Sequence, residues 1–364
     1  MAESRVEPIL VLTEDADLLD DVLRLCAAAG AEAQVAHGAP VNERDWRAAP
    51  LVVVGEDRAG PLRAAPGGLP RRPGVVLVGR NLDNARMWEH GVRLGAEEVV
   101  FLPDAETWLA GRIADSAEGI SEQALTVGVA GGRGGAGASV LACALAVTAA
   151  AAGHRALLVD GDPLGGGLDV LLGGESAEGL RWPAFAESRG RVGAGALEES
   201  LPRLHGVRVL SWGRTADAAG VGADAMRAVL AAARRRGGVV VVDVPRRLDD
   251  AAAEALRQLD VGLLLVPADL RAVAAAQHTA SLLAMAVGDL RVVTRGPFTA
   301  GLDGAEIAGL LGLPLVGELP ADPALPAAVD LGVPPGTCGG PLTRFCTAFW
   351  TRALAGGARG SVAA

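Results

Sequence analysis

The chain has no lysine and no tyrosine, and all 33 of its basic side chains are arginine. Alongside 50 glycines and abundant alanine this reads as codon bias, so a lysine missing from one position is partly a property of the genome. Positive charge is in short supply: 43 acids against 33 arginines give a net charge of −10, with most of the acid excess in the first 120 residues. No basic domain exists to track a phosphate backbone, which argues against non-specific nucleic-acid binding. Cysteine is scarce. Cys26, Cys143, Cys338 and Cys346 are scattered without metal-ligand spacing and are expected to be reduced and mostly buried. The histidines (His37, His90, His154, His205 and His278) are equally dispersed, and no nucleophile–base pair or metal cluster is visible, which disfavours small-molecule enzymology. Long apolar runs are missing too. The start, MAESRVEPILVL, lacks the features of a signal peptide, and the alanine-rich stretch 139–152 is too short to span a bilayer. A cytoplasmic protein is expected, or at most one held peripherally at the inner face of the membrane.

What is present is the composition of a soluble globular protein, 50% hydrophobic and 21% charged, with length enough for two domains. In residues 1–115, short apolar runs at Pro8–Thr13, Ala33–Ala36, Leu51–Val54, Val75–Val78 and Glu98–Leu102 read as strands. Asp17–Ala29 and Asn84–Gly95 carry apolar residues at helical spacing. Strands alternating with helices predict a parallel sheet covered on both faces. The layout resembles a response-regulator receiver domain, flavodoxin-like in topology. That resemblance implies an acidic pair after the first strand, for which Glu14 and Asp15 are available. It also implies a phosphoacceptor aspartate after the third strand and a lysine after the fifth. Here those strands end in Val54-Gly55-Glu56 and Leu102-Pro103-Asp104, so a module for dimerisation or partner contact is expected rather than phosphoryl chemistry. The small, polar segment 116–124 is placed as a linker.

Residues Leu125–Ala130 form a predicted strand, followed by Gly131-Gly132-Arg133-Gly134-Gly135-Ala136-Gly137-Ala138-Ser139 and an alanine-rich helix to about Ala152. Strand, glycine loop and helix is the context a phosphate site needs: glycines turn the amides inward and the helix terminus adds partial positive charge. The spacing fits GxxxxGK[ST], with Ala138 where lysine belongs and Ser139 as a candidate magnesium ligand. A glycine turn with no ligand is the alternative. Further on, Arg155–Val159 leads into Asp160-Gly161-Asp162-Pro163, and the apolar run Val239–Val242 into Asp243-Val244-Pro245. Asp260–Pro267, Leu290–Thr294 and Pro314–Pro320 supply three more predicted strands.

This ordered set, spanning about 125–335, resembles the MinD/ParA family of P-loop ATPases and implies a mostly parallel α/β domain over 125–340. In that family the loop reads KGGxGK[ST]; here Arg133 falls on the first lysine and Ala138 on the second. The resemblance implies that Gly132, Arg133, Gly134, Gly135, Ala136, Gly137, Ala138 and Ser139 cradle ATP or ADP with magnesium. It implies that Asp162 lies near the attacking water, with Asp160 before it, and that Asp243 anchors the metal together with Ser139. It puts Thr294 and Arg295 where an asparagine usually touches adenine, and a flexible switch at Gly165–Asp169. It also implies a homodimer in which the first lysine, here Arg133, reaches the partner's nucleotide. Loss of the second lysine should weaken nucleotide affinity and, more strongly, turnover.

Gly179-Leu180-Arg181-Trp182-Pro183 and Val209-Leu210-Ser211-Trp212-Gly213-Arg214 narrow the resemblance to the actinobacterial septum site-determining (Ssd) group, related to the CpaE and TadZ localisation proteins of Tad pilus systems. A receiver-like front joined to a degenerate MinD-like domain is their shared plan. It implies a spatial regulator with division or pilus/secretion partners. An active ATPase switch using Arg133 across the dimer and a nucleotide-independent interaction module are the alternatives. Trp182 and Trp212 can equally be core residues. In the last segment, 341–364, Leu342–Leu354 has helical spacing suited to packing on the domain more than to lipid, and Gly356–Ala364 reads as a disordered tail.

Overall fold

The computed structural model describes residues 7–360 apart from 37, 39–40, 65–68, 83, 85, 118–122, 187, 189–191 and 214–219. The chain divides into two compact units, Met1–Ser121 and Glu122–Ala364. Of the segment expected as a linker, residues 116 and 117 close the helix Glu106–Ala117, and 118–122 lie outside the described residues.

The first unit holds five strands: β1 (Ile9–Leu12), β2 (Ala33–Val35), β3 (Val52–Gly55), β4 (Val75–Gly79) and β5 (Glu98–Phe101). They pair in parallel in the order β2-β1-β3-β4-β5. Every residue of the three central strands is buried, as continuous Val/Leu/Ile runs require when both faces are covered. Alternate side chains serve opposite faces. Ile9, Val11, Val53 and Val76 pack with Leu18, Val22, Leu109 and Ile113 of the helices Ala16–Ala28 and Glu106–Ala117. Leu10, Leu12, Val54 and Leu77 pack with Trp46, Leu62 and Met87 on the other side. This strand order is the flavodoxin-like one that the spacing predicts. The expected helix at Asn84–Gly95 runs Arg86–Leu94, with Ala85 outside the described residues.

The second unit holds β6 (Leu125–Gly131), β7 (Ala156–Asp160), β8 (Arg203–Leu204), β9 (Val207–Leu210), β10 (Val239–Val244), β11 (Val261–Pro267), β12 (Leu290–Arg295) and β13 (Leu315–Leu319). Their order is β13-β12-β11-β6-β10-β7-β9-β8, and all pairs are parallel except the edge pair β8–β9. That hairpin turns at His205 and Gly206, both at positive φ (49° and 84°), the conformation a two-residue turn between twisted strands demands. Parallel pairing brings the carboxyl ends of β6, β7, β10, β11 and β12 to one edge of the sheet, where ligands bind in open α/β folds.

The helix after β6, Ala138–Ala151, is buried on all sides from Leu141 to Ala149. Small residues at most of these positions (Ala142, Cys143, Ala144, Ala146, Thr148 and Ala149) let the sheet and a neighbouring helix approach together. That neighbour is the C-terminal helix Pro341–Gly360, which buries Leu342, Cys346, Phe349 and Trp350. Trp350 Nε1 donates to the carbonyl of Leu145 at 2.9 Å, so the indole is satisfied inside the core. This apolar face is committed to the domain. The helix continues through Gly360, past the point where the sequence reads as a tail, and residues 361–364 lie outside the described residues. Among the described residues no helix is long and apolar enough to cross a membrane.

Candidate functional site

The glycine loop closes over the carboxyl end of β6. Gly132 N donates to the Leu265 carbonyl at 2.9 Å, which ties the loop to β11. A Cβ at Gly132 would lie 2.9 Å from Ala276 Cβ, so glycine is needed there. Gly137 begins the helix at φ 99°, a conformation that only glycine adopts without strain. Among the described residues no hydrogen bond engages the amides of Gly134, Gly135 or Gly137. These amides and the free first turn of the helix are the donors a phosphate group needs.

Three aspartates face this loop from β7 and β10. Register places Asp243 beside Asp160. Asp243 is 4% exposed; burial pushes its carboxyl up to about 7, a hydrogen bond from Ser139 opposes the rise, and the charges of Asp160 and Asp162 add to it. Ser139 and Asp243, the two residues expected to share a magnesium ion, are thus in direct contact. Asp160 is pushed up to about 6 by burial, against hydrogen bonds from Ser211 (2.8 Å), Leu168 N (3.1 Å) and Asp162 N (3.2 Å). Asp162 is half-buried and accepts from Leu164 N at 3.0 Å. No group of three or more His, Cys, Asp and Glu side chains among the described residues makes a metal site alone. The donor set nevertheless fits magnesium carried by a nucleotide, since a hydroxyl and a buried carboxylate are hard oxygen ligands and phosphates supply others.

The tryptophan motifs build the support beneath these acids. Trp182 and Trp212 both donate Nε1–H to the Asp160 carbonyl, at 2.6 and 3.1 Å, with ring centroids 5.8 Å apart. Trp182 is fully buried. Arg181 next to it binds Asp169 through Nε and Nη2 at 3.3 and 3.2 Å, and Ser211 Oγ also lies 3.4 Å from Asp169. The segment that resembles a switch therefore carries a buried aspartate clamped by an arginine. Sequence reasoning singled out the two tryptophans and missed Ser211, Asp169 and Arg181 as parts of one network. Their adjacency to the tryptophans was the available signal. Arg214, at the end of the second motif, lies outside the described residues.

Arg133, expected to reach across a dimer, is engaged within its own chain: Nη2 lies 3.3 Å from Asp269 Oδ2, and Nη1 donates to the Gly134 carbonyl at 3.1 Å. Thr294 and Arg295 part company, as successive residues of a strand must. Thr294 is buried with its hydroxyl beside Gly304 and no partner among the described residues. Arg295 lines a cavity of about 500 Å³ that also touches Gly137, Leu265, Pro297, Leu319 and Pro326. Its lining is mostly apolar, with Arg295 against the loop and Asp322 and Asp330 also on its wall, and it can hold a planar base and its sugar.

In the first unit the acidic pair is consumed locally. Asp15 caps the helix Ala16–Ala28 by accepting from Asp17 N and Leu18 N, and Glu14 pairs with the buried Arg58. Asp57 accepts from Thr13 Oγ1 at 2.8 Å and from Glu14 N at 2.7 Å.

A family model described as the Rv3660c-like, CheY-like N-terminal domain matches residues 12–124. Over 325 residues the chain is 41% identical to the uncharacterized protein Rv3660c of Mycobacterium tuberculosis (strain H37Rv), covering 87% of this chain and 90% of that relative. Among solved structures, a ParA family ATPase from Chlorobium tepidum superposes with a TM-score of 0.56 at 17% identity, covering 64% of this chain and 99% of the other. A chain of the MinC:MinD cell division protein complex of Aquifex aeolicus gives 0.55 at 20%, covering 64% and 96%. At such identities the likeness to solved structures is one of fold: a CheY-like domain is followed by one of MinD/ParA type.

Proposed function

Because the chain belongs to the Rv3660c-like family and its second unit has the MinD/ParA fold, we propose that it is a spatial regulator. In this reading it is a dimeric scaffold, stabilised by nucleotide, that marks a cell position for septum-site determination or for pilus or secretion machinery. The septum-site reading is the one to which the Trp182 and Trp212 motifs point; the MinD complex with MinC shows that a protein of this fold can assemble with a division partner. The observation that carries the proposal is the geometry around the lysine-free loop: free amides, Ser139 on Asp243, and Asp160 and Asp162 held beside them.

When bound, magnesium and the nucleotide supply polarised phosphates. Everything else is done by this chain. The loop amides would orient the phosphate oxygens, Ser139 and Asp243 would hold the metal, and Asp162 is the residue that would position a water. With Ala138 in place of lysine, transition-state charge is poorly met, so binding with slow or absent hydrolysis is expected. The pairing of Arg133 with Asp269 favours this over an ATPase switched on by Arg133 in trans. In this reading the protein works in the cytoplasm, or held peripherally at the inner face of the membrane.

Calorimetry with MgATP and MgADP, run beside a phosphate-release assay, tests the chemistry. Binding without turnover is the expected result. No binding would leave a fold retained for its surfaces, and brisk hydrolysis would mean that Ala138 is no obstacle. Deletion of the gene, with imaging of septa and pili, separates the division role from the pilus role.

A further inference from the structure

A loop without lysine must offset polyphosphate charge from elsewhere. Arg295 leaves the end of β12 and lies across the start of the helix: a Cβ on Gly137 would be 2.8 Å from its Nη1. Gly137 directly precedes Ala138, so this guanidinium sits beside the position where the loop's own cation is missing. Arg295 also lines the 500 Å³ cavity that abuts the loop. Its guanidinium makes no hydrogen bond or ion pair among the described residues, although Asp322 and Asp330 line the same cavity. Burial, followed by repulsion from Arg133, pushes its pKa down, so its charge is held at a cost that an anion would relieve. On the other flank, Arg246 follows Pro245 just beyond β10. A Cβ on Gly134 would be 3.5 Å from its Nη1, and it too lacks a bonded partner among the described residues. Arg133 differs, because it has an acidic partner in Asp269.

We propose that Arg295, assisted by Arg246, supplies from the neighbouring strand ends the phosphate-binding charge that Ala138 removes from the loop. The ligand class is a nucleoside diphosphate or triphosphate, gripped by arginine forks in place of a lysine point charge. The proposal rests on reading the loop as a nucleotide site. It assigns Arg295 to phosphate rather than to adenine, the role its sequence position suggests.

The test is MgADP binding to the full chain by calorimetry, comparing wild type with Arg295→Ala, Arg246→Ala and the double variant Arg295→Ala/Ala138→Lys. Thermal melting serves as the folding control. Arg295→Ala is expected to weaken ADP by about 10- to 100-fold, the worth of a charged hydrogen bond. Arg246→Ala, more exposed, is expected to weaken it by at most about 5-fold. Restoring lysine at 138 in the Arg295→Ala background is expected to recover most of the affinity, a rescue that a merely structural role for Arg295 would not give. Unchanged ADP affinity in Arg295→Ala, with wild type binding, overturns the proposal and leaves the nucleotide site standing. Loss without rescue by lysine also overturns it. Failure of wild type itself to bind ADP sinks the nucleotide reading and this proposal with it.

Discussion

Asp243→Asn should make the second unit more stable while damaging its site. Asp243 ends β10 in a buried position, with Asp160 beside it and one hydrogen bond from Ser139. Its carboxyl is raised from an ordinary 3.8 to about 7, burial being the largest cause. The folded protein therefore keeps a proton that the unfolded chain gives up. Its contribution to stability is complete below pH 3.8 and is lost as the pH rises through about 7. The full loss corresponds to about 4 kcal/mol. Asparagine has the shape of the protonated acid and can still face Ser139 without this penalty. By the same linkage its advantage is about 2 kcal/mol at pH 5.5 and about 4 kcal/mol at pH 8.5. Urea unfolding without magnesium, at the two pH values, measures that widening gap; tryptophan fluorescence follows it, with the transitions of the two units fitted separately. In MgADP the order should reverse, because the variant loses a metal ligand and the stabilisation that comes with binding. A variant less stable than wild type at pH 8.5, or a difference that does not change with pH, would refute the reasoning. It would mean that the carboxylate is already neutralised by a partner.

Two further substitutions probe the support and the loop. Trp182→Ala should cost about 3–5 kcal/mol in the same urea assay, the range for emptying a buried aromatic site. Trp182→Phe keeps most of the volume and removes one donor to the Asp160 carbonyl, so a loss of about 1–3 kcal/mol is expected; a cost near zero for Trp182→Phe would assign Trp182 to packing alone. Arg133→Ala breaks a half-exposed ion pair with Asp269 and should cost less than about 1 kcal/mol. Its mass in sedimentation velocity with MgATP should match wild type, and dissociation on that substitution would restore the role across a dimer.

The fold was legible because its signals are long and of one period. β1, β3, β4 and β11 are unbroken apolar runs, β10 is one up to Asp243, and each sits fully buried in the middle of a sheet. The edge elements were harder. The hairpin β8–β9 has two residues in one strand and four in the other, and its turn uses His205 at positive φ, which no common turn motif announces. At the site, the aspartates were readable because each ends a predicted strand. Arg295 was visible as a position but not as a contact, since its proximity to Gly137 depends on β11 lying between β12 and β6. Asp169, Ser211 and Arg181 are separated along the chain and meet only because β9 is laid beside β7. Pairing of this kind is a property of topology, and local pattern carries none of it.

The distribution of charge supports the proposed ligand site over a plain turn. A strand-to-helix turn needs its glycines for conformation and has no need of charge. Here the acids stand on one side of the loop, on β7 and β10, with Asp160 and Asp243 buried at raised pKa values. On another side stands Arg295, half-buried without an acidic partner among the described residues, and Arg246 lies close to Gly134. The buried acids and the half-buried Arg295 each cost folding free energy, and they do not neutralise one another within the described residues. A magnesium–polyphosphate complex carries both complements, a cation for the carboxylates and an anion for the guanidiniums. A turn with no ligand leaves both costs standing. On the proposed reading, the missing lysine removes one cation from a site whose remaining charges suit such a ligand. For that reason binding is expected to outlast catalysis, since holding a ground-state phosphate tolerates a displaced charge far better than stabilising a transition state does.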